Sequence, residues 1–172
     1  MTARVAPELK AAIRDVADFP KPGILFRDIS PLLKSHFAAT IESLDGLLTE
    51  VEWRAIDAVA GIESRGFILG AALALRRGKG FVLVRKQGKL PPPVVDVTYA
   101  LEYGSGVLEM QRGEGRVLLI DDVLATGGTL SASADLCLRA GYSVSALAVL
   151  IDLRLVVDYR WRDLPLRAVV SY

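Results

Sequence analysis

The stretch Arg116 to Leu130, R-V-L-L-I-D-D-V-L-A-T-G-G-T-L, constrains this chain more than any other. Val117 to Ile120 are consecutive apolar residues, a run whose length and composition suit a strand buried on both faces of a parallel sheet. Two carboxylates, Asp121 and Asp122, follow where such a strand would end, and Ala125, Thr126, Gly127, Gly128 and Thr129 come next. A helical pattern begins at about Leu130 and continues through Ala134, Leu136 and Cys137. Glycines let backbone N–H groups turn inward, and a helix start adds unpaired amides and the positive end of its dipole, so the segment forms an anion cradle. Thr126 and Thr129 add hydroxyl donors, while the two acids offer acceptors that repel a phosphate and suit a diol. A group with phosphate at one end and vicinal hydroxyls in the middle is a ribose 5-phosphate.

Composition bounds the rest. With 172 residues the chain fits one domain with a proper core. Its 52% hydrophobic and 24% charged residues and mean hydropathy of +0.36 read as globular, not disordered. Twenty-one basic and 20 acidic residues leave a formal charge of +1, so bulk electrostatics point to neither nucleic acid nor a membrane as partner. Cys137 is the only cysteine, which rules out an internal disulfide and a cysteine-based metal site, and its place in an apolar pattern suits a buried core thiol. The lone His36 lacks companion ligands and falls near a helix start. Uncharged runs such as Ala140 to Ile151 reach 12 residues, too few to span a bilayer, and the N-terminus has no apolar signal core. A cytoplasmic protein is expected.

Taken in order, Pro7 and Glu8 open a helix whose apolar face is Leu9, Ala12, Ile13 and Val16. Phe19-Pro20-Lys21-Pro22-Gly23 stops it, Ile24 to Ile29 is extended, and Ser30-Pro31 suits an N-cap followed by proline. Phe37, Ile41, Leu44, Leu48 and Val51 mark one longer amphipathic helix. Ile56 to Ile62 reads as a buried strand running into Glu63-Ser64-Arg65-Gly66-Phe67, with an apolar helix through Leu75 closing near Gly78. An arginine in a turn between two buried elements needs a partner for its charge. Phe81 to Val84 is the next strand. Arg85, Lys86 and Lys89 then cluster before Pro91 to Pro93, and a long excursion through Tyr103-Gly104 returns along Val107 to Met110. Val144 to Ile151 gives another strand, followed by an irregular arm and a last apolar run, Ala168 to Val170. Strands alternating with helices make an α/β fold with a largely parallel central sheet flanked by helices, in which ligands bind beyond the carboxyl ends of the strands.

The motifs carry a resemblance. V-L-L-I-D-D-V-L-A-T-G-G-T resembles the phosphoribosyl-diphosphate (PRPP) signature of type I phosphoribosyltransferases; neither G-x-x-x-x-G-K-[ST] nor G-x-G-x-x-G occurs to compete with it. F-P-K-P-G-I-L-F-R-D-I-S-P-L-L is similar to the base-binding hood of the adenine phosphoribosyltransferase family, E-S-R-G-F to its pyrophosphate loop, and R-K-Q-G-K-L-P with A-L-E-Y-G to its catalytic lid. The resemblance runs from Phe19 to about Leu150 and implies one phosphoribosyltransferase domain over 1–172, with a hood at about 1–35 and a mobile lid hairpin at about 86–106.

What it implies for function is AMP and pyrophosphate made from adenine and PRPP, in a homodimer, with Mg²⁺ held mainly by PRPP and no metal ligand contributed directly by the chain. Asp121 and Asp122 are implied to bind the ribose hydroxyls, and Ala125, Thr126, Gly127, Gly128 and Thr129 the 5-phosphate. Glu63, Ser64, Arg65, Arg85 and Lys89 serve pyrophosphate in this resemblance. Phe26 stacks on the purine, backbone groups of Leu25 and Arg27 read its edge, and Glu102 is the catalytic residue. A non-proline cis peptide between Glu63 and Ser64 is expected as well, since loops of this family aim consecutive amides at one ligand. A 6-oxopurine phosphoribosyltransferase would resemble E-D-[IV]-[IV]-D-T-G at the phosphate loop, where this chain has Ala125 in place of the aspartate beside the base. A non-catalytic PRPP-sensing regulator on the same fold would carry a DNA-binding domain, for which 172 residues leave no room, and Glu102 favours an enzyme.

Overall fold

The structure is a computed structural model that describes residues 5–101 and 104–172. Its centre is β7 (Gly115–Leu124), paired in parallel with β3 (Ala58–Ile62) on one side and β8 (Tyr142–Asp152) on the other. Along β7 the side chains alternate. Leu118 and Ile120 enter one core with Leu69, Leu73, Trp53 and Leu44, while Val117 and Leu119 enter a second with Leu130, Leu136 and Cys137. A strand hydrogen-bonded on both edges and buried on both faces needs such an uninterrupted apolar run. It does not stop at the acids, as expected from sequence; it continues through Asp121 and Asp122 to Leu124, because pairing with Val149 to Asp152 on β8 extends that far.

Eight strands form the main sheet, in the order β5-β6-β4-β3-β7-β8-β10-β9. Beyond β3 lies β4 (Gly80–Lys86), parallel to it, and beyond that the antiparallel hairpin of β5 (Val94–Leu101) and β6 (Gly104–Gln111). Beyond β8 lies β10 (Leu164–Ser171), parallel to β8 and edged by the short antiparallel β9 (Arg160–Trp161). The C-terminal segment is thus a full strand of the sheet and not only the apolar run Ala168 to Val170. Leu147, Val149 and Ile151, buried on β8, are its register partners or their neighbours, so a strand edge that apolar could not be left uncovered.

Helices cover both faces. On one lie α1 (Val5–Ala11), α2 (Ser30–Ser35), α3 (Phe37–Asp45), α4 (Glu50–Arg54) and α5 (Arg65–Arg77); on the other lies α6 (Gly128–Ala140). Helix α1 ends at Ala11, so Val16 lies instead on β1 (Arg14–Val16), paired antiparallel with β2 (Phe26–Asp28). Asp28 accepts from Arg14 at 2.7 Å and from the Ser30 amide at 2.9 Å, so the first amide of α2 is held by the residue that precedes the cap position, Ile29, with Ser30 already inside the helix. The single helix expected over Phe37 to Val51 is two. Gly46 closes α3, and Thr49 opens α4 through a capping box in which Glu52 accepts from the Thr49 amide and the Thr49 hydroxyl accepts from the Glu52 amide. Val51 consequently faces solvent, 74% exposed.

Helix α5 approaches the sheet through glycines. A Cβ on Gly70 would lie 2.8 Å from the Phe81 ring, and one on Gly61 would lie 2.8 Å from that ring and 2.9 Å from the carbonyl oxygen of Gly66. Phe81 is therefore wedged between β3 and α5 at the start of the helix that carries Arg65. Overpacking of this kind typically costs about 1–3 kcal/mol, and the carbonyl contact at Gly61 has no flexible side chain to yield. Urea unfolding of Gly61→Ala is expected to show a loss of about 1–3 kcal/mol; an unchanged midpoint would mean that the helix can move away from the sheet freely.

Candidate active site

The carboxyl ends of β3, β4 and β7 open onto one side of the sheet, and the loops that follow them converge there. After β3 the Glu63–Ser64 peptide is cis, as the sequence resemblance led us to expect. Helix α5 begins at Arg65. Gly66 allows that start to press against β7: a Cβ there would lie 3.0 Å from the Ile120 carbonyl oxygen and 3.1 Å from Asp121 Oδ1. A cavity of about 330 Å³ results, lined by Glu63, Ser64, Arg65, Asp121, Asp122 and Thr129 among others. Ala125, Thr126, Gly127 and Gly128 line an adjoining cavity of about 160 Å³ that shares Asp121 and Thr129. Gly127, at φ +83°, is the left-handed residue from which α6 starts. The helix thus starts two residues earlier than the periodicity suggests, because Gly128 and Thr129 already form its first turn.

Charge is concentrated and partnered within this cavity. Arg65 Nη2 lies 2.7 Å from Asp122 Oδ2 as an ion pair, at an angle outside hydrogen-bond geometry, which leaves that buried oxygen without a hydrogen-bond donor. Arg65 Nη1 donates to the Arg27 carbonyl at 3.3 Å, and its guanidinium stands 4.9 Å from the Phe26 ring centroid. One side chain therefore links β2 to the acid pair. Burial, reinforced by the neighbouring Asp122 carboxylate, raises the Asp121 carboxyl well above the usual range, despite the Asp122 amide and Arg65.

At the start of β2, Phe19 and Phe26 meet edge to face with centroids 5.1 Å apart, and Leu25 is 47% exposed. The Arg27 side chain turns away from the cavity, onto Asp15 and over the Tyr172 ring at 3.7 Å, so its backbone is what faces Arg65. At the end of β4, Arg85 Nε donates to Glu63 Oε2 at 3.3 Å, and the Lys86 amide donates to the same oxygen at 3.0 Å. Burial would raise the Glu63 carboxyl; the Lys86 amide and Arg85 overcome it and hold it below its ordinary value. Arg85 also donates to the Lys89 carbonyl at 3.1 Å. Glu102 lies outside the described residues. Cys137 is fully buried, and burial pushes its thiol up to about 12, which removes it from nucleophilic chemistry at neutral pH.

The comparisons with known proteins fit this geometry. Residues 36–156 match the phosphoribosyl transferase domain family. An adenine phosphoribosyltransferase of Bdellovibrio bacteriovorus is 53% identical over 165 residues, covering 96% of this chain and 99% of that protein. The chain belongs to the adenine phosphoribosyltransferase family. A crystal structure of the Thermoanaerobacter pseudethanolicus adenine phosphoribosyltransferase is 40% identical, with a TM-score of 0.88 over 97% of this chain and 99% of that one. The Saccharomyces cerevisiae enzyme, complexed with adenine and an imino-altritol bisphosphate, is 35% identical, with a TM-score of 0.88 over 97% and 99% of the two chains. Both are α/β structures with the same mostly parallel sheet.

Motif reading passes over one residue of this family member that the structure makes prominent. Glu109 on β6 is 3% exposed and accepts from the amides of Gly88 at 3.0 Å and of Lys89 and Leu90 at 2.7 Å each. It therefore holds the turn that carries Lys89. Burial alone would raise this carboxyl, but the three amides and Arg85 bring it below the ordinary value. In sequence it is one more glutamate on a strand; only the pairing of Arg85 with Glu109 across β4 and β6 reveals the contact. In Glu109→Gln the amide nitrogen must face a backbone donor, which costs roughly 1–3 kcal/mol. Hydrogen exchange at Gly88, Lys89 and Leu90 is expected to accelerate about tenfold or more, and unchanged protection there would show that the turn is held by other contacts.

Proposed function

We propose that this member of the adenine phosphoribosyltransferase family transfers ribose 5-phosphate from PRPP to N9 of adenine, giving AMP and pyrophosphate in purine salvage. The observation that carries the reading is a pair of adjoining cavities sharing Asp121 and Thr129, one lined by the acid pair of β7 and the Ser64–Arg65 turn, the other by the Gly127–Gly128 loop. The acid pair, the loop and the turn are complementary to a ribose, its 5-phosphate and a pyrophosphate, in that order. Asp121 and Asp122 accept from the ribose hydroxyls. Ala125, Thr126, Gly127, Gly128 and Thr129 cradle the 5-phosphate with amides, hydroxyls and the start of α6. Ser64, Arg65, Arg85 and Lys89 hold the pyrophosphate, with Glu63 contributing its backbone and fixing Arg85 through its carboxylate. Phe26 stacks on the purine, and the backbone of Leu25 and Arg27 reads its edge.

The C1 to pyrophosphate bond lengthens ahead of attack by N9, leaving an oxocarbenium-like ribose. The protein's contribution is alignment, stabilisation of the departing charge and exclusion of water. We assign to Glu102, on the lid at about 86–106, acceptance of the N7 proton from the N7–H tautomer of adenine as N9 attacks through its lone pair, so that the purine leaves as neutral N9-substituted adenine. Mg²⁺ held mainly by the PRPP oxygens, as family membership suggests, would supply charge neutralisation at the pyrophosphate, while Arg65, Arg85 and Lys89 of this chain hold its oxygens. A cytoplasmic homodimer completes the proposal, supported by family membership; among the described residues no helix is long and apolar enough to cross a membrane.

The second reading, a 6-oxopurine enzyme, is disfavoured by Ala125 at the loop. Adenine offers an N6 donor and an N1 acceptor, and hypoxanthine reverses both. Each buried mismatch costs about 1–3 kcal/mol, so kcat/KM for adenine is expected to exceed that for hypoxanthine by roughly a hundredfold or more. Steady-state assays with adenine, hypoxanthine, guanine and xanthine check this, and comparable efficiency with hypoxanthine would sink the assignment. Positioned acid–base groups contribute about 10² to 10⁴ in rate, so Glu102→Gln is expected to lose about two orders of magnitude in kcat with substrate binding largely kept. Turnover within about threefold of the parent, with chemistry rate-limiting, would reduce Glu102 to a lid-positioning residue.

A further inference from the structure

The segment between β8 and β10 is the part of the chain to which the motifs assign no role, yet it reaches back to the phosphate loop. Tyr159 lies against Gly127: a Cβ added to that glycine would overlap the tyrosine ring, 2.9 Å from Cδ2 and closer still to Cε2. The Tyr159 hydroxyl is 2.7 Å from Ser131 Oγ and 3.4 Å from the Gly127 carbonyl oxygen. That same carbonyl accepts from the Ser131 amide at 2.9 Å, so ring, left-handed turn and first turn of α6 form one closed unit. One helical turn further along, Trp161 Nε1 donates to Asp135 Oδ1 at 3.0 Å. Ser131 and Asp135 are i and i+4 on α6, on a common face, so the arm is tied to the helix twice. The Leu166 amide donates to the Tyr159 carbonyl at 3.2 Å and ties the arm to β10.

The ring also packs against the second core. Tyr159 also lines a polar cavity of about 160 Å³ beyond the ends of β8 and β10, with Asp152, Arg154 and Asp158. Packing against the second core, the hydrogen bonds and the contact with Gly127 together hold the ring. Burial raises the phenol above its ordinary value, which keeps it a hydroxyl at neutral pH.

We propose that Tyr159 is a positioning residue for the 5-phosphate end of PRPP, holding Gly127 in its left-handed turn and Ser131 in the first turn of α6 so that the loop amides face the phosphate. The inference rests on the reading of residues 125–129 as the 5-phosphate cradle. A phosphate held by backbone amides is sensitive to their direction, and a glycine turn with no buttress samples many. Tyr159 touches no substrate. Its effect passes through the loop alone, which separates it from the pyrophosphate end at Ser64 and Arg65.

That separation supplies the test. Ribose 5-phosphate engages the cradle and pyrophosphate engages the opposite end, so inhibition constants for the two against PRPP are measured on the whole enzyme, on Tyr159→Phe and on Tyr159→Ala. In Tyr159→Ala the constant for ribose 5-phosphate is expected to rise about tenfold or more, with the PRPP KM rising alongside it and the pyrophosphate constant and adenine KM within about twofold. Tyr159→Phe, which keeps the ring and loses the tie to Ser131, is expected to fall between and carries the test if the alanine variant does not fold. Equal weakening of both inhibitors, or of neither, overturns the positioning role. If ribose 5-phosphate fails to compete even in the unmodified enzyme, the cradle reading itself is wrong, an outcome distinct from a failure of Tyr159.

Discussion

Everything in this fold depends on β7 being paired along both edges and buried on both faces. Val117 to Ile120 have no exposure at all, and they divide the interior into two cores that share no face. Because parallel neighbours run in register on either side, the loops after β3 and β7 are delivered to the same end of the sheet. Acids could not sit within such a strand if it were covered throughout. They are accommodated at its last residues because β3 ends at Ile62 while β7 continues, opening a cavity beside the longer strand.

That cavity sets an electrostatic problem which the free protein solves with its own charges. Asp121 and Asp122 adjoin in sequence, one raised by burial and by its neighbour, the other held against Arg65 at 2.7 Å. Arg65 in turn touches β2 through the Arg27 carbonyl. An arginine shared among an acid, a carbonyl and an aromatic face is placed without any one partner satisfying it fully. Such an arrangement is suited to exchange: a ligand presenting anionic oxygens to Arg65 and hydroxyls to the acids replaces contacts of poor geometry with better ones, and the desolvation cost of the charges has already been met in folding.

The sequence announced the centre of this structure and little of its margins. Strand β7, the glycine loop, the Glu63–Ser64 turn and the sheet's α/β character are legible because each is local: an apolar run, a left-handed residue, a helix start. The helix expected over Phe37 to Val51 fails for a reason that is also local but easily outweighed, since Leu48 and Val51 continue the apolar spacing while Thr49 and Glu52 form a capping box that starts a new helix. Val16 is misread because its strand is specified by Asp28, twelve residues away, and not by its own neighbours. Glu109 and Tyr159 are invisible for the same reason. Their partners lie 19 to 32 residues off, and nothing in a lone glutamate or tyrosine announces a contact that only sheet register and helix docking create.

A common device runs through these margins. Loops that face a ligand cannot complete their backbone hydrogen bonds in a ladder, so each is tied to the scaffold by one acceptor or ring from a rigid element or its flank. Asp28 ties β2 to α2 through the Ser30 amide, Glu63 and Glu109 tie the segment after β4, and Tyr159 closes on Gly127 and Ser131. Carboxylates serve where the loop offers donors, as at Gly88 to Leu90, and their ionised form is favoured by the amides they collect. On the proposed reading of residues 125–129 as a 5-phosphate cradle, a carboxylate at Gly127 would compete with that phosphate for the loop amides. A neutral hydroxyl on a large ring fixes the turn without adding negative charge, which accounts physically for a tyrosine where the other loops use acids.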